Sequence, residues 1–219
     1  MEGVAISLES MGIAQMGLGK FNEAQSSFEL SLHLYPRRAN MFEITQHIGE
    51  VNFAKAGECY DRSDKDGAEA LFQMAIKYYI EAKNIAIKMN DEKLLILADK
   101  SLATTYKYEY MLLNKEYSTE KREFIEQFHK DIINRAAKFK FNLSSIYWDD
   151  MLVLYNQGNF GKGIEAGLKA ENLFVQEIRN LQDEEAILTN KYWIKHIAIF
   201  ITCCCKYAML ILNCQMMLF

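Results

Sequence analysis

Apolar residues recur at helical spacing almost from the start of the chain. Leu8, Met11 and Leu18, with Gln15 among them, keep the three-and-four rhythm of one helix face. Gly19-Lys20-Phe21-Asn22 then stops that helix and can open the next. A second helix runs through Ala24, Phe28, Ser31, Leu32 and Leu34 to Pro36, so the proline sits at a helix exit, where its missing N–H does least harm. Further helices are predicted over 40–60, 66–89, 92–113, 119–138, 143–157, 162–181 and from 183 to 219. The breaks between them are short and polar, as at 61–67, Asn90-Asp91 and Gln157-Gly158-Asn159. About nine helices and no strand are expected, in one continuous domain over 1–219.

Composition narrows the class without changing it. Half of the 219 residues are hydrophobic and a quarter charged, which is ordinary for a folded chain. One proline and 11 glycines are too few for the turns of an all-β sandwich or barrel. With 25 Lys+Arg against 29 Asp+Glu the net charge is −4, so nothing steers the molecule toward nucleic acid. Cys59 stands alone while Cys203, Cys204, Cys205 and Cys214 crowd the last residues. That distribution fits reduced thiols on buried helices better than a disulfide framework. Consecutive cysteines on a helix point about 100° apart, so the 203–205 run cannot converge on a metal. The first residues, MEGVAISLESMG, have neither the basic start nor the apolar stretch of a secretory signal, and a cytoplasmic location is expected.

The helix pairs repeat. Met11-Gly12, Gly19, Phe21, Ala24, Phe28, Ser31 and Pro36 resemble one tetratricopeptide repeat, a helical hairpin of about 34 residues. Later units resemble the long-helix variety of that family. Ile48-Gly49 with Ala75, Tyr79, Ala82 and Ile85-Ala86 marks a second; Leu102-Ala103 and Tyr106 open a third; Tyr147, Leu154, Gly158, Phe160, Gly163, Gly167 and Ala170 mark a fourth. The corresponding positions Met11, Ile48, Leu102 and Asp150 lie 37, 54 and 48 residues apart, and the excess over the family period belongs to longer helices or loops. The resemblance implies an all-α, right-handed α-solenoid of antiparallel helix pairs. Its units would be about 4–37, 40–89, 92–138 and 143–181, with a hydrophobic terminal helix at 183–219. Small residues such as Gly12, Ala24, Ser31 and Ala82 would let helix axes approach, while Phe21, Phe28, Tyr79 and Phe160 fill the wedges between them. A buried Phe28 predicts a cost of about 3 to 5 kcal/mol for Phe28→Ala, measurable by urea unfolding.

Candidate chemistry is sparse. His33, His47, His129 and His196 fall on separate helices with no metal-ligand spacing around them. Gly158-Asn159-Phe160-Gly161-Lys162-Gly163 opens a helix but lacks the preceding strand and the lysine-serine/threonine ending of a phosphate-binding loop, so it reads as a repeat turn. Placing Gly67 sixth in a calcium loop puts Arg62 first and Gln73 twelfth, which excludes an EF-hand; Asp64 or Asp66 reads instead as a helix cap. No catalytic dyad, serine elbow or paired carboxylates emerge, so no enzyme, cofactor or metal is expected.

What remains is surface. By the resemblance, the first helix of every pair lines a concave groove that collects Glu9, Met16, Glu43, Gln46, Glu50, Phe53, Lys100, Thr104, Lys107, Tyr108, Trp148, Tyr155 and Asn156. Acidic residues come first, basic and aromatic ones later. Such a groove suits a partner peptide or helix, with Trp148, Tyr108 and Tyr155 as anchors unless they pack between helices. The chain is therefore expected to be an adaptor or scaffold in a larger assembly. Two alternatives stand beside that: a tail-anchored organelle-surface receptor, and a peptide-sensing regulator that changes curvature. The first rests on 197–219, whose single charge, Lys206, leaves a stretch long enough to cross a membrane. Thr202, Lys206 and Asn213 nevertheless form a narrow polar stripe on it, which suits a helix covered by a partner, a second copy or further repeats.

Overall fold

A computed structural model describes residues 2–34, 38–113, 119–139, 144–156 and 159–180. Eight helices occupy them: α1 (Glu2–Gly17), α2 (Phe21–Leu34), α3 (Arg38–Asp61), α4 (Lys65–Met89), α5 (Glu92–Leu113), α6 (Thr119–Lys138), α7 (Ser144–Asn156) and α8 (Phe160–Asn180). No strand occurs among the described residues. The all-helical reading of the sequence holds, and the predicted ends fall within two residues of those observed from α3 onward. The ninth helix expected over 183–219 lies outside the described residues, as do Pro36 and the four C-terminal cysteines. The chain divides into two compact units, 1–135 and 136–219, each considered by itself.

In the first unit one turn design is used three times. At the end of α1, Lys20 N–H reaches back to Gln15 O at 2.9 Å and Gly19 N–H to Met16 O at 3.0 Å. After α3 the same two bonds run from Asp64 to Cys59 and from Ser63 to Tyr60; after α4 they run from Asp91 to Ala86 and from Asn90 to Ile87. The residue between the bonds is left-handed in each case: Gly19 at φ +71°, Ser63 at +65° and Asn90 at +53°. One left-handed residue ends a helix while satisfying its last carbonyls, and the next residue can immediately cap the following helix. Asp64 accepts from Gly67 N–H at 2.9 Å, and Asp91 accepts from Lys93 and Leu94 N–H at 2.9 and 3.1 Å. Such abrupt reversals turn the chain back at the ends of α1, α3 and α4.

Packing follows the small-against-large rule expected from the sequence. A β-carbon at Gly12 would sit 2.7 Å from the Phe28 ring, and one at Gly49 would sit 2.5 Å from the Tyr79 ring. The two glycines let α1 lie on α2, and α3 on α4, the second contact about two helical turns farther from its reversal than the first. Phe28 is fully buried with Ala5, Ala24, Ile44, Ile48 and Val51, a burial worth roughly 1.5 to 3 kcal/mol. Along α3 and α4 the contacts pass from Ala56 and Cys59 against Ala68 and Phe72 near the turn to Phe42 against Ala82 and Ala86 at the far end. Ala98 and Leu102 bring α5 onto α4. Ser31 Oγ donates to Ala5 O at 2.8 Å, and Ser27 Oγ to Gln15 Oε1 at 2.7 Å, pinning α2 to α1.

Asp99 ties three helices. Its carboxylate is almost fully buried on α5, with Lys83 Nζ of α4 at 2.8 Å and Arg135 Nη2 of α6 against its other oxygen. Arg135 also reaches Glu92 at 3.4 Å. A buried charge persists only when it is paired in this way. Among the described residues the second unit contains a hairpin: Met151 of α7 is buried against Ala166, Ala170 and Phe174 of α8, with Tyr147, Trp148, Leu152 and Leu154 around them.

Candidate functional site

In the first unit α3 touches both α1 and α5. This is the side on which the sequence places the groove. Where α1 meets α3, Glu9 of α1 interacts electrostatically with His47 and Glu43 of α3. His47 Nδ1 lies 3.0 Å from Glu50 Oε2 one turn along α3, and its ring stacks on Phe28 with centroids 5.1 Å apart. The Glu50 hydrogen bond raises the His47 pKa above its ordinary 6.5 against the opposing effect of burial, with Glu9 and Glu43 adding to the rise. Burial is the main cause that lifts the Glu9 carboxyl above its usual value; Glu43 adds to it and His47 pulls the other way. Glu50 is thus hydrogen-bonded to the imidazole, while Glu43 and, from α1, Glu9 act on it electrostatically.

Where α3 meets α5 the residues face inward. Gln46 is buried and its Nε2 donates to Ser101 Oγ at 2.6 Å, while its Oε1 has no hydrogen-bond partner. Phe53 packs edge-on against both Phe72 and Tyr108, with centroids 5.7 and 5.2 Å away. Lys107 is buried, and Lys100 and Thr104 are half-buried. Met16 packs against the Phe28 cluster. Of the groove residues expected from sequence, Glu9, Glu43 and Glu50 all act on His47, whereas Gln46, Phe53, Lys107, Tyr108 and Met16 form wall and core. Trp148 belongs to the packed cluster of the second unit. The side chains of Tyr155 and Asn156 lie outside the described residues.

His47 is the member that the sequence alone does not single out. Its signal was the spacing Glu43-x-x-x-His47-x-x-Glu50, which puts all three on one helix face. Among the described residues no group of three His, Cys, Asp or Glu side chains is arranged to hold a metal ion. No helix among them is long and apolar enough to cross a membrane, and 197–219 lies outside them. No protein-family model matches the chain, and a search of curated proteins finds no match.

Proposed function

We propose that the protein is a non-catalytic interaction scaffold of the cytoplasm, in which tetratricopeptide-like hairpins stack as a right-handed solenoid and take a partner peptide or helix along the side lined by α1, α3 and α5. A glycine against an aromatic ring within both the α1–α2 and α3–α4 hairpins, each closed by the same turn, supports the repeat reading, because a solenoid reuses one supersecondary unit. One observation carries the binding reading: Glu50 holds His47 by a hydrogen bond on α3, and Glu43 and, from α1, Glu9 act on the same imidazole electrostatically. A partner segment bearing Lys or Arg would neutralise them and gain charge-assisted hydrogen bonds.

The test uses the full chain and a panel of amphipathic peptides with and without basic residues, read by fluorescence polarisation. Basic members should bind saturably and more weakly as salt rises. The combined change of Glu9, Glu43 and Glu50 to Gln should weaken them about tenfold or more, on the scale of one or two charge-assisted contacts. Equal binding of neutral and basic peptides, or an unchanged affinity in the triple variant, sinks the reading.

A further inference from the structure

An apolar helix with no preferred polar face belongs in an interior. α1 is such a helix, yet only half of it is covered. Ala5, Gly12 and Met16 turn toward α2 and α3. On the outward half Val4, Ile6, Met11, Ile13 and Leu18 remain 45 to 73% exposed. Leu18 belongs to the same face, because its N–H still reaches Ala14 O at 3.1 Å. The residues between them, Gly3, Ser7, Ser10, Ala14 and Gly17, are exposed too. Together these positions cover about 180° of the helix, at roughly 100° per residue, without one charge. The charged residues of α1, Glu2 and Glu9, share a different register, from which Glu9 acts on α3.

The large side chains flank the small ones on both sides, and the small ones follow one another by steps of four and three, the rhythm of a seam between two helices. A β-carbon at Gly3 or Gly17 would meet nothing within 4 Å, unlike one at Gly12. Ser7 Oγ donates to Gly3 O at 2.9 Å, so its hydroxyl is satisfied within the helix and enters an apolar contact without losing a partner. Read backwards, the face repeats itself. With a second copy antiparallel and centred near Ser10, Gly3 falls on Gly17, Ser7 on Ala14 and Ser10 on Ser10 along the seam. Val4 then meets Leu18, and Met11 meets Met11, on one flank, while Ile6 meets Ile13 on the other. Every residue finds a partner of its own size. A two-fold axis demands this of a surface that pairs with itself, whereas an unlike partner helix imposes no such symmetry.

We propose that two copies of this chain associate through the outward face of α1, antiparallel about a two-fold axis near Ser10. The charge pattern favours a second copy: the chain carries a net charge of −4, yet neither copy brings a charge to the contact. The area suffices as well. The exposed residues of the face offer on the order of 600 Å² per copy, so the pair buries on the order of 1,200 Å², the low end for a specific stable interface. Small seam residues let the two axes approach to about 8 Å, where the flanking side chains reach across. The contact lies away from Glu9 and does not rest on the peptide reading.

Sedimentation velocity of the full-length protein over about 1 to 200 μM should show a reversible monomer–dimer equilibrium with a micromolar dissociation constant. Raising NaCl from about 50 to about 500 mM should not weaken it, because no charge lies in the contact. Ser10→Glu sets two carboxylates against each other on the axis and should weaken the dimer about a hundredfold or more. Its helix content by circular dichroism should be unchanged, since Ser10 is exposed. Ala14→Glu should also weaken the dimer, and adding Ser7→Lys to it should restore association, because the Lys of each copy then faces the Glu of the other. A monomer at every concentration overturns the proposal, whether or not it binds neutral phosphatidylcholine vesicles instead. So does a dimer that salt dissociates, or one indifferent to Ser10→Glu. Failure of Ser7→Lys to rescue Ala14→Glu overturns the antiparallel arrangement.

Discussion

Two glycines on α3 carry opposite expectations. A β-carbon at Gly49 would press into the Tyr79 ring, whereas one at Gly57 would meet nothing within 4 Å. Gly49→Ala should therefore destabilise by about 1 to 3 kcal/mol through overpacking. Gly57→Ala should stabilise by about 0.5 to 1 kcal/mol, since it only removes backbone freedom from a helix interior. Urea midpoints for the two variants measure the contrast, and equal shifts would refute the close approach. His47 and Glu9 set a pH dependence of the same sign. Because the folded His47 pKa is raised, its contribution is complete below its ordinary 6.5 and fades as pH climbs through the raised value. Glu9 is also raised, so its ionisation opposes folding and the molecule gains as pH falls through that value. The melting temperature should decline as pH rises from the ordinary histidine value of 6.5 through the raised one. His47→Gln should flatten that decline, and Glu9→Gln should raise the melting temperature at neutral pH; calorimetry across the range checks both.

The elements are set by their ends as much as by their faces. Each left-handed turn residue was marked in the sequence as a polar or glycine break, and the residue after it in two cases was an aspartate ready to cap. Asn90 tolerates its φ of +53° because its short side chain has little to clash with, and glycine would tolerate it better. Asn90→Gly should leave thermal stability unchanged or slightly raised. Asn90→Val should lower it by about 1 to 2 kcal/mol, the cost of forcing a branched residue into that region. If the two variants melt together, the turn geometry described for α4 and α5 is wrong. Asp99 shows the other side of element-scale reasoning. Nothing in its helical phase announced that it is buried, because the reason is two cations delivered by α4 and α6.

At the scale of the whole molecule, the clusters around Phe28, Phe42, Phe72 and Tyr79 are all formed within α1–α6, mostly between helices adjacent in sequence. Residues 1–138 expressed alone should thus retain their helix content and unfold cooperatively; circular dichroism showing a non-cooperative melt would reject this. Sequence by itself determined the helices, their limits and the tight reversals, and marked Gly12 as small and Phe28 and Tyr79 as large packing residues, since periodicity, capping and residue volume are local properties; which glycine meets which ring came from the tertiary structure. It also placed Glu9, Glu43 and Glu50 on one side. Only the tertiary structure decided that Gln46, Phe53 and Tyr108 face inward, that those glutamates act on His47, and that the outward half of α1 is left exposed. Burial and charge proximity arise between segments distant along the chain, and no pattern within one helix records which neighbour its side chains will meet.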